Sequence, residues 1–152
     1  MIRAAIAGNP NCGKSCVFNA LTGGSQEVGN FPGVTVECAE GVSRRGGAGM
    51  RVVDLPGTYS LTAYSLDEQV ARDHILKERP DVVINVVDAS NLERNLYLTV
   101  QLFELGVPVV IALNMTDVAE RHGMDVDAET LSQLFGVKRS EEHTSELQSP
   151  NT

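Results

Sequence analysis

The chain has 152 residues, 42% of them hydrophobic, which suits one α/β or α+β domain around a single core and excludes two domains. Its formal charge of −8 excludes a nucleic-acid surface, which needs clustered Lys and Arg. Three cysteines, Cys12, Cys16 and Cys38, lack C-x-x-C spacing and fit reduced thiols, while the longest apolar run, Val107 to Leu113, falls far short of the roughly 18 residues that span a bilayer.

Ile2–Ala7 reads as a first strand and leads straight into a motif, so no signal peptide is expected and the chain is read as soluble. Lys14–Thr22 follows as a helix, with Val17 and Leu21 at i, i+4 spacing and Gly23-Gly24 as its stop. Ser25 to Pro32 is polar, contains glycine and has no periodicity, which predicts a mobile surface loop. Val34–Val42 and Met50–Asp54 flank a glycine-rich turn and predict an antiparallel hairpin. Ser65-Leu66-Asp67-Glu68 and Ser90-Asn91-Leu92-Glu93 are capping boxes that open two helices. The second helix carries Leu92, Leu96, Val100 and Phe103 on one face and stops at Gly106 before Pro108. Asp81–Val87 and Val107–Leu113 are Val/Ile-rich runs of the sort buried on both faces of a parallel sheet. Met115–Arg121 and Ala128–Phe135 are shorter helical candidates. This alternation predicts an α/β fold, a mostly parallel twisted sheet with helices on both faces.

Three motifs in this frame carry chemistry. Gly8-Asn9-Pro10-Asn11-Cys12-Gly13-Lys14-Ser15 fits G-x-x-x-x-G-K-[ST], between a strand and a helix whose N-terminal amides converge on phosphates. There Lys14 would neutralise the β- and γ-phosphates, and the Ser15 hydroxyl would bind Mg²⁺. Asp54-Leu55-Pro56-Gly57 ends the next strand, with Asp54 placed for the Mg²⁺ shell and the Gly57 amide for the γ-phosphate. Asn114-Met115-Thr116-Asp117 lies at the carboxyl edge of the Val107–Leu113 strand, where open sheets bind ligands. The Asp117 carboxylate would accept two hydrogen bonds from guanine that adenine cannot offer, while Met115 packs on the ring in place of the usual Lys. Thr35 is placed to reach Mg²⁺ when a γ-phosphate orders its segment. Thr58 stands where Ras-like enzymes carry a water-orienting glutamine, so unaided hydrolysis should be slow.

Together these motifs resemble the translation-factor-like GTPases, and the words between them narrow the resemblance to the ferrous iron transport protein B family. Its carriers are Gly8–Ser15, Val28–Glu37 with Gly33-Val34-Thr35, Asp54–Leu61, Ser65–Gln69 and Asn85–Thr99, the likeness running from Ile2 to Val137. The resemblance implies a P-loop NTPase G domain with GTP and GDP held by residues 8–16, 33–35, 54–57 and 114–117, Cys16 included. It implies Lys14, Thr35, Gly57 and Asn11 as the catalytic set, with Asn11 coordinating an activating K⁺. It further implies a place on the cytoplasmic side of the bacterial inner membrane, attached to a C-terminal ferrous iron permease, and leaves a homo-oligomer open. A nucleotide switch with incidental hydrolysis and a ribosome-assembly-type GTPase are the competing readings; the second would bring a basic surface that the acidic balance does not supply.

The G domain is thus expected over residues 1–138. From Arg139 onward the chain is polar, Leu147 being its only aliphatic residue, and resembles a translated sequencing adapter. A disordered, non-native tail over 139–152 is expected, with the final edge strand and last helix missing and guanine binding weakened.

Overall fold

The computed structural model describes residues 1–44, 49–115, 121, 139–143 and 146–147. In chain order these form β1 (Ile2–Gly8), α1 (Lys14–Thr22), β2 (Glu27–Asn30), β3 (Glu37–Ser43), β4 (Met50–Asp54), α2 (Leu66–Glu78) and β5 (Val82–Asp88). A 3-10 turn (Ala89–Asn91), α3 (Leu92–Glu104), β6 (Val109–Asn114), β7 (Arg139–His143) and β8 (Glu146–Leu147) follow. The strands make one sheet in the order β2-β3-β4-β1-β5-β6-β7-β8. Its centre is parallel, β4 and β5 flanking β1 and β6 lying beside β5, and β2 and β3 are antiparallel additions at one side.

Alternation along β1 divides the core. Ala4 and Ile6 join Val17, Phe18 and Leu21 of α1 on one face, and Ala5 and Ala7 join Val70, Ala71 and Ile75 of α2 and Leu98 and Leu102 of α3 on the other. The expected α/β architecture with helices on both faces is therefore observed.

Local expectations fared unevenly. The first capping box is complete: Ser65 Oγ accepts from the Glu68 amide, and Glu68 Oε1 accepts from the Ser65 amide. The second is not formed. Asp88 Oδ1 takes the Ser90 amide at 2.8 Å and the Ser90 hydroxyl at 2.5 Å, tightening the entry into a 3-10 turn and leaving Asn91 at the N-cap. The buried residues of α3 are Asn95, Leu98, Thr99 and Leu102, whereas Val100 is exposed, so the stripe is rotated from the one the aliphatic spacing predicts.

Part of the expected loop over 25–32 is strand β2, because the edge of β3 pairs with it backbone to backbone, Val28 opposite Ala39 and Asn30 opposite Glu37. Within the tail expected to be disordered, Arg139–His143 and Glu146–Leu147 are strands. Arg139–His143 pairs in parallel with β6, Ile111 opposite Arg139 and Leu113 opposite Glu141, and β8 folds back on it. A strand edge offers unpaired N–H and C=O groups that a polar segment can satisfy without apolar side chains, a route that composition does not reveal. The Ala128–Phe135 helical candidate lies outside the described residues, as does Met115–Arg121 except for its two ends.

The 31–36 loop is closed by the Phe31 amide donating to the Val36 carbonyl at 3.0 Å. Phe31 is buried and meets the His74 ring of α2 edge-on at 5.9 Å. Burial holds the His74 imidazole below its ordinary 6.5, Arg3 adding a smaller push the same way while Glu78 and Glu40 oppose it. The folded state thus resists a proton that the unfolded chain accepts, so stability is full above about pH 6.5 and declines as pH falls through and below that value. Melting temperatures at about pH 7.5 and 5.5 should differ in the unmodified chain and converge in His74→Gln. An unchanged pH dependence in that variant would refute the assignment.

Candidate functional site

The phosphate-loop motif sits at the carboxyl end of β1 and turns directly into α1. Gly13 is the helix N-cap at φ +92°, a conformation open to glycine, and a Cβ there would lie 2.0 Å from Asn114 Nδ2. That amide nitrogen donates to the Cys12 carbonyl at 3.0 Å, tying the end of β6 to the loop. Gly57 is constrained more mildly, since an added Cβ would come within 3.2 Å of the Pro10 backbone. The Thr58 amide donates to the Gly8 carbonyl at 3.0 Å and the Leu55 amide to the Ile6 carbonyl, stitching the second motif along the first.

Lys14 Nζ donates to Asp54 Oδ1 at 2.5 Å, with side chains 12% and 18% exposed. The cation expected to meet phosphates and the carboxylate expected to serve Mg²⁺ are thus brought together at one point. Ser15 beside them is exposed. Ser15 and Asp54 offer oxygen donors, the chemistry that Mg²⁺ prefers, and the glycine cradle admits a ligand's phosphates where side chains would obstruct them. Asn9 is 3% exposed and both of its amide atoms are buried without a hydrogen-bond partner, an uncompensated group of the sort that bound ligand or water satisfies.

Cys12 lies buried with its Sγ over Gly8, where a Cβ would meet it at 2.6 Å. Burial pushes its thiol up to about 11, against smaller lowering by a backbone hydrogen bond and the charge of Lys14. Pro10, Asn11 and Cys16 are exposed, and Asn11 is left-handed at φ +66°. Leu55 is buried and Pro56 half-buried. Gly33 and Thr35 are exposed and Val34 is half-buried in the loop that Phe31 anchors to α2; among the described residues no hydrogen bond or ion pair joins Thr35 to Lys14, Ser15 or Asp54. Met115 follows β6 at φ +61°, its Cε close to the Gly13 position, whereas Thr116 and Asp117 lie outside the described residues.

Two sets of residues escaped the reading of motifs. Behind the loop, Asn85 Nδ2 donates to the Ala7 carbonyl at 3.4 Å and Thr99 Oγ1 donates to Asn85 Oδ1 at 2.5 Å. Asn95 Oδ1 accepts from the Asp88 amide, so buried polar side chains link α3 to β5 at Asn85 and Asp88 and, through Asn85, to β1. An asparagine inside a Val/Ile strand run was the available signal. The second set surrounds the segment after Gly57. Glu68 accepts from Ser60 Oγ at 2.8 Å, from Thr62 Oγ1 at 3.3 Å and from the Tyr64 amide at 3.0 Å, and these bonds, Ser60 foremost, hold its carboxyl below the usual range. Arg72 Nη1 donates to the Leu61 carbonyl at 3.2 Å. Gln101 Oε1 accepts from the Leu61 amide at 2.5 Å, and the Arg94 guanidinium lies 4.0 Å over the Tyr59 ring.

Among the described residues, no helix is long and apolar enough to cross a membrane.

Comparison with known proteins places this geometry. The family model described as ferrous iron transport protein B matches residues 2–148. The chain is 54% identical over 138 residues to the Fe(2+) transport protein A/Fe(2+) transporter FeoB fusion protein of Porphyromonas gingivalis, covering 90% of this chain and 16% of that protein. It is 53% identical over 140 residues to the Fe(2+) transporter FeoB of Legionella pneumophila, covering 90% and 19%. The chain therefore spans less than a fifth of these curated relatives. Among solved structures, the cytosolic domain of L. pneumophila FeoB superposes with a TM-score of 0.86 at 50% identity, covering 91% of this chain and 61% of that one. A GDP-bound mutant of the S. thermophilus FeoB G-domain gives 0.87 at 50% identity, covering 93% and 54%.

Proposed function

Because the chain belongs to the ferrous iron transport protein B family, we propose that it binds GTP and GDP at residues 8–16 and hydrolyses GTP slowly, with Mg²⁺ and K⁺. The Lys14–Asp54 pair at a glycine-lined loop carries this reading. Water attacks the γ-phosphorus and gives up a proton to the phosphate that forms or to solvent, while the bond to the β–γ bridging oxygen breaks and that oxygen leaves on GDP carrying the negative charge. Lys14 neutralises this charge, the loop amides hold the β- and γ-phosphates, and the Gly57 amide faces the γ-phosphate. Asp54 and Ser15 would hold Mg²⁺, which supplies charge neutralisation when bound, and Thr35 joins them as its loop orders. Asn11, exposed on the loop, would hold K⁺. Met115 and Asp117 read guanine.

In a longer protein the domain would act from the cytoplasmic face of the bacterial inner membrane on an attached permease for Fe²⁺, with guanine nucleotide as its first partner. Single-turnover hydrolysis with Mg²⁺ in K⁺ and in Na⁺ tests the assignment. Faster turnover in K⁺ is expected, toward the order of 10³–10⁵ that an arginine finger supplies elsewhere. Equal rates would instead favour a nucleotide switch with incidental hydrolysis, and failure to bind labelled GDP would end the reading altogether.

A further inference from the structure

The segment that follows Gly57 is held by side chains from two helices at one residue. Leu61 is 3% exposed, its amide donates to Gln101 Oε1 of α3 at 2.5 Å, and its carbonyl accepts from Arg72 of α2 at 3.2 Å. Two residues before it, Tyr59 is covered by the Arg94 guanidinium of α3 at 4.0 Å. At its start the same segment is fixed to the phosphate loop by the Thr58 amide on the Gly8 carbonyl. Gly57 thus stands at the start of a segment whose first anchor is the phosphate loop and whose later anchors are α2 and α3.

We infer that Gln101 is a positioning residue for GTP hydrolysis, setting through Leu61 where the Gly57 amide stands relative to the γ-phosphate. The inference rests on the proposed GTPase reading. It assigns no contact with nucleotide to Gln101. Leu61 lies past the residues that face the phosphates, so removing the bond should slow the γ-phosphate step and leave GDP affinity alone. A loosened amide is a misplacement, and small misplacements of a stabilising donor cost rate steeply.

The test compares the unmodified chain, Gln101→Leu and Gln101→Glu. Gln101→Leu removes the acceptor, and Gln101→Glu keeps a carboxyl oxygen for the Leu61 amide. Single-turnover hydrolysis should slow on the order of tenfold in Gln101→Leu and recover in Gln101→Glu, while labelled-GDP affinity stays within about twofold in all three. Amide exchange at Leu61, read without nucleotide, should rise about tenfold in Gln101→Leu alone. Unchanged exchange or an unchanged rate in Gln101→Leu overturns the inference and leaves the GTPase reading standing. GDP affinity falling in step with the rate would overturn it too, since that marks general damage. An unmodified chain that binds GDP but hydrolyses no GTP removes the GTPase reading and the positioning role with it.

Discussion

Replacing Lys14 with alanine is expected to abolish measurable GTP turnover, a loss of at least about 10²–10³ in rate, because under the proposed reading it removes the charge the loop sets against the β- and γ-phosphates. The structure adds a second consequence. Among the described residues, Asp54 Oδ1 keeps no ion-pair partner once Nζ, now 2.5 Å away, is gone. The two side chains are only 12% and 18% exposed, so leaving the carboxylate without its partner should cost roughly 1–3 kcal/mol of stability. Phosphate release after mixing with GTP and Mg²⁺, alongside a denaturant melt, separates the two effects. A variant that melts normally yet turns over GTP at the original rate would remove the central functional claim.

Gly13→Ala is expected to damage both binding and folding. The residue stands at φ +92°, so a side chain carries about 1–2 kcal/mol of backbone strain. Its Cβ would also fall 2.0 Å from Asn114 Nδ2, and that nitrogen must then leave the Cys12 carbonyl. A hydrogen bond lost in a half-buried place costs roughly a further 1–3 kcal/mol. The displaced asparagine begins the motif proposed to read guanine, so labelled-GDP affinity should fall by about a hundredfold or more. An Asn114→Ala background removes the collision. There the same glycine substitution should cost only its backbone strain, and equal losses in both backgrounds would show that the two residues do not meet.

Much of this site was legible because its chemistry is local. Gly8–Ser15 and Asp54–Gly57 each place their glycines and charged groups by the turn they make after a strand, and Ile2–Gly8 and Met50–Asp54 are strands by composition. Their meeting as Lys14 and Asp54 followed once both strands were parallel neighbours, Ile6 beside Asp54. What stayed hidden depends on tertiary neighbours. Gln101 and Arg94 look like solvated helix residues, and only the path of 57–65 between α2 and α3 gives them work. The α3 stripe was misplaced because Asn95 and Thr99 are polar, yet they bury by bonding to Asp88 and Asn85, a compensation that aliphatic spacing cannot register. Strands β2 and β7 were missed for the complementary reason, since each is recruited by a neighbour's open edge rather than by its own side chains.

The buried Cys12 has a chemical consequence for the loop proposed to hold phosphates. Thiol oxidation and alkylation proceed through the thiolate, and a group pushed up to about 11 holds only about 0.01% of that form at neutral pH. With its sulfur closed over Gly8, the residue is also out of reach of bulky reagents. Cys16, one helical turn on and exposed, takes such reagents first. The loop thereby carries sulfur as inert packing, and an oxidant would mark the outside of α1 before it reached the floor of the phosphate cradle.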